Sequence, residues 1–150
     1  MAKPTKHAAL ICTIVSVIAL IGIIIGILIS KPLIIVILLL PSAMYEAYRT
    51  EGPSTKFTSW FLLLLLILEI VLIVANISFD LATFFGASET SIVGYNIPLG
   101  DVKIVGPIIM GILSIILFTR TRGKYTKWLA AVIFITCFAI IYSLNPEIFK

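Results

Sequence analysis

The chain alternates long apolar runs with short polar interruptions. Five runs stand out, at about 8–30, 33–48, 57–79, 104–119 and 128–144. The first and third have the length of a full membrane span, about 20 residues; the other three are at or just below the lower limit. Each short run can gain a turn from its flanks. Pro32 follows the polar pair Ser30-Lys31 and suits a first helical turn. The fourth run can begin at Val102, with Pro107 tolerated near its start. The pattern predicts an all-α integral membrane protein, a bundle of five transmembrane helices forming one domain over residues 1–150. The first run is too long for a cleavable signal, and no small-x-small site follows it. It is expected to stay as an anchor.

The basic residues predict the orientation. Five spans with the N-terminus in the cytoplasm put Lys3, Lys6, Arg49, Lys56, Arg120, Arg122, Lys124 and Lys127 inside, against Lys31, Lys103 and Lys150 outside. Eight against three favours this arrangement over four spans with run 33–48 re-entrant, whose better orientation gives seven against four. Tyr45, Tyr48, Trp60, Tyr125 and Trp128 then form one aromatic belt at the inner interface. The C-terminus is external. The link 80–103 is external too, and a connection of that length is often functional. A short interfacial helix over 79–85 and a small hairpin of 91–97 with 102–105 are expected there.

Composition agrees with the pattern. Hydrophobic residues make up 61% and charged residues 12%, about half the share of an average soluble domain. Mean hydropathy is +1.20 and the pI about 9.2. Disorder, a nucleic-acid-binding domain and a secreted disulfide scaffold are excluded. The basic excess sits in links between apolar runs, where it orients a membrane protein. Cys12 and Cys137 lie inside apolar runs as small hydrophobes. His7, the one histidine, precedes the first run, so no haem or histidine metal site is expected.

Glu69 is the candidate with the most chemistry. It falls near the middle of the third run, where a carboxylate costs about 2.5–3.5 kcal/mol to insert. Burial disfavours its charged form, so it is expected to be mostly protonated at neutral pH. Continued as a helix, the run places Asn76 and Asp80 within about 20° of Glu69, a polar stripe from mid-membrane to the outer surface. Such a stripe suits an outward half-channel for a proton or cation. It suits equally a seam hydrogen-bonded to neighbouring helices. Ser16, Gly111, Ser114, Thr136 and Cys137 are expected at the depth of Glu69. So is Pro41, which frees the Ile37 carbonyl. No lysine or arginine shares that depth.

Other features are weaker. Gly22-x-x-x-Gly26, extended by Ser30, is a small-residue face for close helix contact, within the chain or with another subunit. Arg120, Arg122, Lys124 and Lys127 form the densest basic cluster, a determinant of topology that can also attract anionic lipid headgroups. The stretch 45–53, with mixed charges and two tyrosines, reads as an interfacial anchor. Asp80, Glu89 and Asp101 do not have the spacing of a Ca²⁺ loop. Asn76-Ile-Ser78 matches a glycosylation acceptor inside a span, out of reach of modification.

Neither a nucleophile–base pair nor a glycine-rich phosphate loop is present. The sequence therefore points to a non-catalytic multi-pass protein of a prokaryotic cytoplasmic membrane, with no cofactor or metal. The expected role is a small accessory or structural subunit of a larger complex. The alternative is a proton- or cation-coupled transporter or channel using Glu69. The expected partners are membrane lipids and other membrane subunits or copies of itself, with no nucleic acid.

The orientation is testable. In a background with Cys12 and Cys137 replaced, an impermeant thiol reagent applied to intact cells should label Ser88→Cys and spare Gly123→Cys. The reverse labelling would overturn the five-span arrangement.

Overall fold

The computed structural model describes residues 6–77 and 102–149. Five helices account for most of these: α1 (Ala8–Ile29), α2 (Pro32–Arg49), α3 (Pro53–Val74), α4 (Val102–Arg120) and α5 (Lys124–Leu144), followed by a 3₁₀ turn, Pro146–Phe149. Among the described residues there is no strand. All five helices are long and apolar enough to cross a membrane. Even the shortest, at 18 residues, rises about 27 Å. This is the make-up of a multi-pass membrane protein.

The helices pack as a ring. Each successive pair is in contact, α5 closes back on α1, and α2 also meets α5 through the centre. Cys12 and Ser16, early in α1, meet Tyr125 and Trp128, early in α5, so these two helices run parallel. The core is apolar, with Ile35, Leu39, Leu62, Leu66, Met110, Leu117, Ile133 and Ile140 essentially inaccessible. The outside is apolar as well. Leu28 of α1, Phe57 and Val74 of α3, Ile112 of α4 and Ile135 of α5 are each more than half exposed. A soluble bundle would carry charge on those faces.

Helix boundaries differ from the expected ones in ways that local chemistry explains. Helix α3 starts earlier, at Pro53, because Gly52 turns the chain at φ 116° and proline suits the first turn. It also stops earlier, at Val74 rather than residue 79. Asn76 takes the left-handed conformation at φ 50°, its N–H donates to Ile73 O, and the Ile77 N–H donates to Leu72 O. This is a Schellman cap, for which asparagine is a common residue. Ser30 caps α1 in the same way at φ 56°, with Ser30 N–H to Ile27 O and Lys31 N–H to Gly26 O.

Helix α5 begins four residues before the expected 128, because Lys124-Tyr-Thr-Lys127 forms a polar first turn. Residues 102–105, expected as one strand of a hairpin, are the first turn of α4. Pro107 at that depth removes only the hydrogen bond to the Lys103 carbonyl, so the helix can continue. The expected interfacial helix over 79–85 and the strand 91–97 lie outside the described residues. Run 33–48 forms one continuous helix, long and apolar enough to cross a membrane.

The glycine face of α1 is occupied by α2. A Cβ on Gly22 would stand 2.7 Å from Leu38 Cβ, and one on Gly26 would overlap the Ile35 side chain. The two-residue link Ser30-Lys31 forces this proximity, and the glycines let the backbones approach. Gly26→Ala should therefore destabilise the purified protein by about 1–3 kcal/mol through overpacking. Ser30→Gly should stabilise it by about 1 kcal/mol, because glycine tolerates the left-handed cap. Thermal unfolding in detergent measures both, and an unchanged midpoint for Gly26→Ala would contradict the close contact.

Candidate functional site: polar groups on the helix seams

Glu69 is 1% exposed. It lies five residues before the end of α3, only about 7.5 Å of rise from Val74, so it is not at mid-span as expected. The difference follows from the Asn76 cap, which removes the last turn that the apolar run suggested. Gly106, at the matching height in α4, faces it so closely that a Cβ there would overlap Glu69 Oε2. Cys137 of α5 lies within electrostatic reach of the same carboxyl group. Glu69 therefore sits where α3, α4 and α5 converge. Leu66 and Met110, one turn further in on α3 and α4, are fully buried.

The predicted polar stripe is interrupted at Asn76. Asn76 lies beyond the helix end and is exposed, so it does not continue the face of Glu69. Its Oδ1 instead accepts a hydrogen bond from Lys103 Nζ at 3.2 Å, linking the end of α3 to the start of α4. Asp80 lies outside the described residues. Of the residues expected at the depth of Glu69, Cys137 is near it. Ser16 is drawn to the other side of the bundle, where its hydroxyl accepts from Trp128 Nε1 at 2.9 Å. Ser114 and Thr136 donate to carbonyls of their own helices, Gly111 O and Val132 O.

A second buried polar group escaped the sequence reading. Glu46, Arg49 and Thr50, at the end of α2, are 1%, 6% and 3% exposed. The stretch 45–53 was expected as an interfacial anchor, but its first half completes a helix enclosed by α1, α3 and α5. Thr50 Oγ1 donates to Glu46 O at 2.7 Å and stands 3.2 Å from Glu46 Oε1. The Arg49 guanidinium lies 5.1 Å from the centre of the Tyr125 ring, a cation–π distance. Among the described residues, Glu46 Oε2 and Arg49 Nε and Nη1 have no hydrogen-bond partner. The signal was present in the spacing: Leu39, Ser42, Ala43, Glu46, Ala47 and Thr50 recur at helical intervals and share the buried face.

The basic cluster divides. Arg120 ends α4 and Arg122 lies in the link, both exposed. Lys124 opens α5, and Lys127 points its Nζ toward the Phe118 ring, 5.8 Å from the centre. Among the described residues, no group of three or more His, Cys, Asp or Glu side chains gathers to hold a metal ion.

No family model, curated protein or solved structure matches this chain.

The Glu69–Gly106 contact can be tested with a double-mutant cycle. Gly106→Ala should cost about 1–3 kcal/mol of stability because the new methyl displaces the carboxyl group. In the Glu69→Ala background the same change should cost far less, since the obstacle is gone. Equal losses in the two backgrounds, read from thermal unfolding in detergent, would show that the residues do not touch.

Proposed function

We propose that the protein is a non-catalytic accessory or structural subunit of a larger complex in a prokaryotic cytoplasmic membrane, with its N-terminus cytoplasmic and its C-terminus external. The observation that carries this reading is the position of Glu69, a buried carboxyl group near the outer end of α3. A proton or cation carrier needs that carboxyl group on a wet path. Here it is 1% exposed and backs onto the Gly106 backbone. Used this way, a buried polar side chain holds helices together.

Two further features support the same reading. The links between α1 and α2, α2 and α3, and α4 and α5 are two, three and three residues long, which leaves little polar surface there for a soluble substrate. The outer faces of α1 and α3 are broad and apolar, with Leu20, Ile24 and Leu28 on one and Trp60, Phe61 and Leu64 on the other. Such faces accept lipid or the helices of neighbouring subunits.

Glu69→Gln separates this role from transport, because the amide keeps the shape but cannot release a proton. In proteoliposomes with a pH-sensitive dye inside and an imposed pH gradient, both proteins should leak no faster than empty vesicles. Extracted from native membranes in mild detergent, both should co-migrate with the same additional polypeptides. A proton flux that disappears in Glu69→Gln, or migration of the unmodified protein alone, would contradict the proposal.

A further inference from the structure

At the end of the bundle that carries the α4–α5 link, a cleft of about 360 Å³ opens between the starts of α1 and α5 and the end of α4. Its size falls within the usual range of ligand sites. Phe118, Tyr125 and Trp128 supply aromatic walls, Cys12 lies on the α1 side, and Lys124 and Lys127 supply the charge. Among the described residues, no carboxylate lines it. One wall is fixed in place: the Trp128 indole, 56% exposed, donates to Ser16 Oγ, and that hydroxyl donates to Cys12 O at 2.7 Å. Behind Tyr125, Arg49 and Glu46 are buried and lie within electrostatic reach of Cys12 with opposite sign. The charged side chains that line the cleft are its two lysines.

We propose that this cleft is a binding site for an anionic phospholipid, with its phosphate against Lys124 and Lys127 and an acyl chain along Phe118 and Trp128. Charge and depth select this occupant. The two ammonium groups stand in the first turn of a membrane helix, at the level where headgroup phosphates lie. The rest of the cleft is apolar and faces outward, where a chain from the surrounding leaflet can enter. A zwitterionic lipid brings a compensating cation and gains less from two lysines. Arg120 and Arg122 carry the same sign but do not line the cleft, so they serve as an internal control.

The chain holds two tryptophans, so Trp60→Phe leaves Trp128 as the one indole reporter. The purified Trp60→Phe protein in neutral detergent is mixed with brominated phosphatidylglycerol or brominated phosphatidylcholine, and bromine quenching of Trp128 gives the relative affinity of each. Phosphatidylglycerol should be preferred. Lys124→Gln with Lys127→Gln should reduce the preference about fivefold for each charge removed. Arg120→Gln with Arg122→Gln should leave it unchanged. Inorganic phosphate should compete no better than chloride at matched ionic strength. Equal quenching by the two lipids would overturn the proposal. So would equal losses in the two double variants, which would mean diffuse surface charge. Selective displacement by inorganic phosphate would also overturn it, showing an anion site that needs no lipid.

Discussion

A lipid environment offers a polar side chain no water to bond, and this confines the polar groups of the bundle to the seams between helices. The distribution of residues follows from it. Large apolar side chains cover the outside, while Ser16, Ser42, Glu46, Arg49, Thr50, Ser59, Glu69, Ser114, Thr126 and Thr136 are all buried. Most of the hydroxyl groups are satisfied one turn back on their own helix, as Ser59 is by Thr55 O and Thr136 by Val132 O. Others bind one helix to the next. Ser42 donates to Val15 O at 3.0 Å, Trp128 to Ser16, and Cys12 Sγ stands 3.8 Å from Tyr125 O. These contacts gather where α1, α2 and α5 meet. Toward the other end, Glu69 against Gly106 and Asn76 with Lys103 join α3 to α4.

Helix α2 occupies the position that this constraint makes possible. It is the least apolar of the five helices and, with α5, one of the two most enclosed. A helix face that touches lipid must be apolar; the face of α2 screened by α1, α3 and α5 can carry Ser42, Glu46 and Arg49. The glycines of α1 allow the screening. Gly22 and Gly26 admit Leu38 and Ile35 to a distance that any side chain would prevent.

The five long apolar helices, the all-helical architecture of the described residues and the short links were legible in the sequence, because apolar run length alone decides them. The glycine face was legible as a packing surface, and the structure identifies α2 as its partner. The Glu69 stripe was misread because a uniformly apolar run hides where its helix ends. Asn76 looked like a polar residue on a helical face, whereas it is the left-handed residue that closes the helix. The Glu46–Arg49 pair was missed for the opposite reason. Charged residues beside a link read as loop, and only the ring around α2 shows that they are covered. Asparagine near the end of an apolar run, and a carboxylate in register with small residues, are the signals that would have found both.

The central claim is that Glu69 belongs to the packing of α3 on α4 and lies away from water. Substituted-cysteine accessibility tests it directly. In a cysteine-free background in native membranes, Glu69→Cys should remain unreactive toward a small charged thiosulfonate applied to either side. Asn76→Cys, seven residues on and exposed, should react readily under the same conditions. Modification of Glu69→Cys at a rate matching Asn76→Cys would contradict the account, because it would put water where the structure packs a helix.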